Sequence, residues 1–557
     1  MRRSLSMRLA APLVAVALAV SACGGTSSDG GAAKLGATND INPHDVSELR
    51  DGGDLRLAIS SLPENWNSLH NDGNNSEYTA IEKAMMPRAF STDAAGKLTL
   101  NTDYFTAVEL TGESPQQVTY TINPKAVWSD GSPITWEDIK FQAEALSGRN
   151  KEFQIAGFGG FDRVDKVERG VDDRQAVLTF GKHYAEWRGQ FAGNSMLYPK
   201  QVTATPQAFN TALLNGPGLT AGPFTVTDIN LTDKRVVLGR NQKWWGATPK
   251  LDTITFRVLD VAAWVPALVN NELDAVGLAD REEVTQARSA PGVVIRRTPG
   301  MLYTHVTFNG AEGSILADPK LRVALMRAID RKSIVTSRLQ GLVDGPVPLG
   351  NHVYLAGQEG YQDNGAEYGF DPDRAARELD ALGWRLVGDT REKDGRKLVI
   401  RNVSGQSDAW VQMAQIIQQD FAKIGVKLVI ETKPSTGFFP EVIQKGNFDF
   451  AMFSWVGDTF PLSGLPQIYR YDPNDLQGNY GRIGTPDLND LIERTISELD
   501  PAKAIELANE VDRKVWELGF SALLYQTPGV VGVRDKLANF GPAGLATIDY
   551  TKIGFLK

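Results

Sequence analysis

The chain has 557 residues, with 58 basic and 67 acidic side chains and a formal charge of −9. That acidic balance, with basic residues scattered and not massed, argues against a nucleic-acid partner and against unaided adhesion to an anionic membrane. A single cysteine leaves no disulfide, so the fold must rest on its core, and this length supports two or three domains.

In chain order, Arg2, Arg3 and Arg8 precede an apolar run over residues 9–20, and small residues then lead to Cys23. This is the layout of a secretory signal peptide over residues 1–22, too short to span a bilayer as a permanent helix. The site Val20-Ser21-Ala22-Cys23 resembles the lipobox of bacterial lipoproteins, which implies lipidation of the Cys23 thiol. Without the leader, 55 basic and 67 acidic residues remain, a charge of −12. Residues 24–37 are polar and Gly-rich, too poor in apolar surface to order, and read as a flexible tether within residues 23–50.

From about Asp54 to Val261 strands and turns dominate. Residues 118–122 and 254–258 alternate apolar and polar side chains. Ser129-Asp130-Gly131-Ser132-Pro133 has turn chemistry and leads to a helix capped at Thr135, with Ile139, Ala143 and Leu146 on one face. From about Asp318 helices and strands alternate. Asp318-Pro319 and Asp371-Pro372 each read as an N-cap followed by proline at the first helical position. Residues 397–403 read as a strand and 404–408 as a polar loop. A helix follows with Trp410, Met413, Ala414, Ile417, Phe421 and Ile424 at helical spacing, ending before Gly425, and residues 426–430 form a second strand. Such a unit demands a parallel pair, and ligands bind beyond the carboxyl ends of such strands. The loops 404–407 and 455–458, the latter after a further helix (438–445) and strand (448–454), are therefore the candidate site loops. After Asp487 come two amphipathic helices, the second opening at Asp500-Pro501, and then a strand-like stretch, 522–533. A β-rich part, an α/β part and a β-like return predict two lobes joined by two crossing segments, which make a hinge.

Chemical motifs are absent. The sequence has no G-x-S-x-G, GxxxxGK[ST], H-E-x-x-H or paired C-x-x-C, and Gly157-Phe158-Gly159-Gly160 lacks dinucleotide-loop spacing. The five histidines (His44, His70, His183, His305, His352) are dispersed, none three or four residues from another. No metal, no cofactor and no enzymatic activity are expected.

Several passages resemble one family. Residues 127–138 (VWSDGSPITWED), Gly222-Pro223-Phe224, Arg240 to Gly246 (RNQKWWG), Thr307-Phe308-Asn309, residues 321–331 (LRVALMRAIDR), Phe370-Asp371-Pro372-Asp373 and Gly383-Trp384 follow one another as in the extracytoplasmic solute-binding proteins of ABC transporters, oligopeptide/dipeptide-binding family (family 5). The resemblance implies an α/β, periplasmic-binding-protein-like fold of class II, with two main lobes around a ligand cleft plus an extra β-rich subdomain. Its boundaries here would be 51–88 with 203–298 and 520–557 for lobe I, 89–202 for the β-rich lobe II, and 299–519 for lobe III. It also implies a monomeric, lipid-anchored extracytoplasmic protein that passes oligopeptides to permease subunits.

The same resemblance supplies the site. Trp455-Val456-Gly457-Asp458 matches a Trp-x-x-Asp passage whose carboxylate pairs with a peptide α-ammonium in a dry cleft, with Trp455, Gly457 and Thr459 around it. Trp66, Asn67 and Asn74 fall in the first-lobe loop that pairs with peptide backbone. Tyr303 and Asn309 lie where the chain crosses between lobes, and Ser404 in the loop before the 410–424 helix. In dipeptide-selective members that loop carries a basic residue for the ligand carboxylate. Here it reads Asn402-Val403-Ser404-Gly405-Gln406-Ser407, with only Arg401 nearby, which favours longer peptides or ligands without a free carboxylate. A non-peptide solute (metal chelate, haem or oligosaccharide) on the same fold is the alternative, and an extracellular hydrolase a remote one.

Overall fold

The computed structural model describes residues 39–434 and 437–557. The leader, Cys23 and most of the tether lie outside the described residues. Two long antiparallel strands, Val293–Phe308 and Ser521–Arg534, form the middle of a ten-stranded sheet. On one side follow Ala275–Gly277, Asp54–Ile59, Thr253–Val258, Arg235–Arg240 and Phe224–Asn230; on the other Phe450–Val456, Val399–Gly405 and Lys427–Lys433. The central strands thus run from an N-terminal body into a C-terminal one. Each body has its own main apolar core, the first built largely from residues 55–256 and the second largely from 265–450 with 516–530.

The ladder between the two crossing strands is interrupted where proline faces proline. Pro299 lies opposite Pro528, and regular pairing resumes at Tyr303 and Gln526. Neither proline has an N–H to donate, so the ladder loses its hydrogen bonds at this pair and shifts register before Tyr303. At Gly300 a Cβ would come within 2.3 Å of the Thr527 carbonyl oxygen, so the two backbones meet there only because one residue has no side chain.

A separate antiparallel sheet, in the order Phe105–Glu113, Gln116–Ile122, Gln175–Phe180, Val164–Arg169, belongs to the N-terminal body. The helix Trp136–Leu146 packs on it and begins where the caps predict: the Thr135 N–H donates to the Asp138 carboxylate at 2.7 Å. The Asp-Pro caps also form. Asp318, Asp371 and Asp500 accept from the N–H groups of Lys320, Arg374 and Ala502 at 2.9, 2.8 and 3.0 Å, opening Pro319–Arg327, Pro372–Ala381 and Pro501–Glu517. The helix expected over 438–445 shrinks to the wide turn Phe439–Ile443, with Pro440 unable to donate inside it.

Two arginines of the family-like passage 321–331 are structural. Arg322, 3% exposed, donates to the carbonyls of Leu316, Ala317, Leu518 and Gly519 at 2.6, 2.8, 2.7 and 3.1 Å. Arg331 reaches those of Leu349, Leu523 and Gly365. Both satisfy backbone carbonyls that would otherwise be buried without a donor. Among the described residues no helix is long and apolar enough to cross a membrane.

Candidate ligand cleft

Val399–Gly405 lies between Lys427–Lys433 and Phe450–Val456 and is parallel to both. The chain leaves it first to one side, through the helix Asp408–Lys423, and then to the other, which creates a crevice beyond the strand ends. The strand Phe450–Val456 pairs with Val399–Gly405 only at Phe450 and Ala451, while its opposite edge pairs with the crossing strand as far as Val456. From Met452 onward its first edge meets no strand among the described residues. An extended chain can add to such an edge through main-chain hydrogen bonds.

Both expected site loops prove shorter than the sequence suggests, because their strands run on through Gly405 and Val456. Ser404 is therefore a strand residue, fully buried, and its Oγ finds no hydrogen-bond partner. Trp455 is also in a strand, half-buried, with its ring parallel to those of Tyr480 and His305 at 5.7 and 6.4 Å between centroids. Gly457 begins the turn. Its N–H donates to Met301 O at 2.6 Å, and a Cβ there would come within 2.7 Å of Leu355 Cδ1.

The Asp458 carboxylate is held on its own turn, accepting from the Phe460 N–H at 3.0 Å, while its carbonyl accepts from Gln358 Nε2 at 2.8 Å. It faces the N-terminal body: a Cβ on Gly193 would sit 3.4 Å from Asp458 Oδ1. Burial pushes the Asp458 carboxyl up, against the Phe460 N–H and the positive charge of Lys83. Lys83 follows the helix Ser76–Glu82 in the N-terminal body, and burial together with Arg88 pushes its ammonium down to about 8. So a carboxylate and an ammonium from opposite bodies share a water-poor space, with no ion pair between them.

Two cavities lie between the bodies on either side of this turn. One, of about 870 Å³, is lined by Thr459, Phe460, Gln358, Tyr354, Glu186 and Leu462 among others. The second, of about 660 Å³, is more polar and takes in Tyr184, Arg163, Lys182, Gln467 and Tyr480. Both volumes suit a small-molecule or short-peptide ligand.

The other candidates lie elsewhere. Trp66 is 3% exposed and packs edge-on against Tyr78, whose hydroxyl donates to Trp66 O. Asn67 is fully buried, its amide donating to Phe209 O and accepting from the Leu69 N–H. Asn309 donates to Gly446 O and Phe448 O, both at 3.0 Å. Tyr303 is buried in the crossing strand opposite Trp455. These side chains bond to or pack on the protein's own backbone and core. Asn74 stays exposed in the turn before Ser76–Glu82. Sequence reasoning missed Lys83, Glu186, Gln358 and Phe460, since nothing local distinguishes them from ordinary surface or core residues.

One arrangement bears on the hydrolase alternative. His352 sits between Asp512 Oδ1 (2.7 Å) and Ser521 Oγ (3.0 Å), the pattern of a nucleophile, a base and an orienting acid. All three are buried, Ser521 at 3% exposure, and Asp512 also accepts from the His352 N–H and from Asn364. None of the three lines either interbody cavity, and the trio ties a helix to a strand.

A model of the bacterial extracellular solute-binding proteins, family 5 (middle region) matches residues 110–476. The chain is 54% identical over 525 residues to the oligopeptide-binding protein OppA of Mycobacterium tuberculosis (strain H37Rv), covering 94% of this chain and 88% of that protein. The chain belongs to solute-binding protein family 5. Its fold is also that of the periplasmic EDTA-binding protein EppA (TM-score 0.85, 24% identity, 94% of this chain and 99% of the other). A further likeness is to AppA of Bacillus subtilis, solved with a nonapeptide (TM-score 0.74, 18% identity, 91% and 100%). Family 5 membership makes this a binding protein of the mixed α/β, several-lobed type; of the Asp458 turn, Thr459 and Phe460 line the larger cavity.

Proposed function

We propose that this protein is the lipid-anchored binding component of an ABC importer, capturing extracellular oligopeptides in the cleft beside Asp458 and handing them to permease subunits. The observation that carries the reading is the pairing of a partly buried carboxylate, which makes no ion pair among the described residues, with an open strand edge. A peptide brings an α-ammonium and a line of backbone donors and acceptors, and Asp458 and residues 452–456 offer the complement of each. The likeness to a protein named for oligopeptide binding, over almost the whole chain, supports the same class of ligand. The absence of a basic residue in 402–407 favours peptides longer than two residues. No residue of the cleft is required to act as a nucleophile.

Mass spectrometry of ligand co-purifying with the native protein tests the reading: peptides with free amino termini are expected, and a metal chelate, haem or oligosaccharide in their place would overturn it. The lipid anchor is tested separately. Cys23→Ser should release the protein into the soluble extracytoplasmic fraction or stall its processing, and membrane retention unchanged by that substitution would remove the anchor from the proposal.

A further inference from the structure

Glu186 belongs to the N-terminal body, yet its carboxylate is bonded to the C-terminal one. The N–H groups of Leu462 and Ser463 donate to its Oε1 and Oε2 at 3.0 and 2.8 Å. Those N–H groups open the helical turn Pro461–Ser463 that continues into Gly464–Ile468. The first N–H groups of a helix have no acceptor within it and are ordinarily met by a polar side chain just before it. Here that residue is Phe460, which has no acceptor, so the cap comes from across the cleft.

Two further contacts flank this cap. The Arg163 guanidinium forks onto Glu493 Oε1 and Oε2 at 2.8 and 3.2 Å and reaches Ser497 Oγ at 2.7 Å. Its Nε donates to His183 O at 2.6 Å, and the Ala185 N–H donates to Ile496 O at 2.8 Å, so residues 183–186 and Arg163 act as one unit. The apolar contacts are exchanged as well. Phe460 is buried in the core of the N-terminal body, its ring so close to Gly189 that a Cβ there would lie 2.9 Å from Cγ, while Ala185 packs on the C-terminal cluster of Leu462 and Ile496. The turn so gripped is the one that begins at Asp458.

We propose that Glu186 and Arg163 form a latch that holds the cleft closed and positions the Asp458 turn, so that their contacts between the two bodies set how long a ligand stays. The proposal rests on the reading that the Asp458 cleft is the binding site. Taking the Glu186 carboxylate out of water is unfavourable, and burial pushes it up to about 8 despite its two N–H donors. Reopening returns this carboxyl group to water. Arg163→Lys keeps the charge but loses the fork that meets both Glu493 oxygens.

The test compares the mature wild type with Glu186→Gln, Arg163→Leu and Arg163→Lys, using penta-alanine as probe in stopped-flow binding and small-angle scattering. Breaking one partner of a buried hydrogen-bonded charge contact acts on dissociation, so release should speed up by about tenfold or more in Glu186→Gln and Arg163→Leu, less in Arg163→Lys, with association unchanged. Both variants should show a larger radius of gyration than wild type at equal occupancy. Dissociation and compaction like wild type would overturn the latch, as would equal loss in association, dissociation and thermal midpoint, which marks a merely structural role. If penta-alanine fails to bind wild type, the peptide reading is what falls. Scattering without ligand then decides the latch alone: a larger radius of gyration in both variants supports it, and equal radii overturn it.

Discussion

Asp458→Asn weakens peptide binding by about 30-fold or more, the equivalent of roughly 2–5 kcal/mol for truncating one partner of a buried charge pair. The substitution keeps the shape of the turn, because the Phe460 N–H can still donate to the remaining oxygen at this position. It removes the negative charge, so a desolvated α-ammonium meets Lys83 from the opposite wall with nothing to offset it. N-acetylating the peptide should weaken binding to wild type comparably, and the two losses should not add, since both break one interaction. Calorimetry on the four combinations measures this. If Asp458→Asn binds free and acetylated peptides as tightly as wild type, Asp458 is not the amine anchor and a non-peptide solute moves ahead.

Arg322→Leu should cost about 4 kcal/mol of stability or more, because each buried carbonyl left without a donor costs about 1–3 kcal/mol and this guanidinium serves four. Burial pushes the Arg322 guanidinium down to about 10, so it remains charged at neutral pH and its hydrogen bonds are charge-assisted. Arg322→Lys should recover only part of the loss, since an ammonium cannot fork to carbonyls on both sides as the planar group does. Denaturant unfolding measures the difference, and peptide affinity of the folded fraction should stay within about twofold, as expected of a site far from additive coupling with the cleft. A loss below about 1 kcal/mol would mean that these carbonyls find other partners. This arginine is part of the passage by which the chain resembles its family, so the resemblance there reflects folding and not ligand.

Local signals in the sequence were enough for most elements. Asp-Pro caps, the 410–424 stripe ending at Gly425 and the alternation in 118–122 and 254–258 depend on neighbours three or four residues away, and each appears where such short-range chemistry places it. Motifs likewise carried the family and the Asp458 turn. Strand ends were less legible. Nothing in Ser404-Gly405 marks it as strand, and although Trp455 and Val456 favour strands, no local signal sets the strand's end there; pairing with 432–433 and with 302–303 keeps those residues extended, and that pairing is long-range. The same holds for polar residues in the site. Asn67, Asn309 and Ser404 look like ligand contacts in a sequence, but only packing decides whether an amide or hydroxyl faces a cleft or a neighbouring carbonyl.

What the sequence by itself determined is the family and those helices and strands that short-range signals mark. Tertiary structure alone decided that Pro299 comes opposite Pro528, where the ladder shifts register, and which residues from the two bodies face each other. Lys83 and Asp458 are 375 positions apart, and Glu186 and Leu462 are 276 apart. No local propensity encodes such distances. They exist because two cores, each closed by its own hydrophobic burial, are joined by a pair of strands that fix how their faces meet.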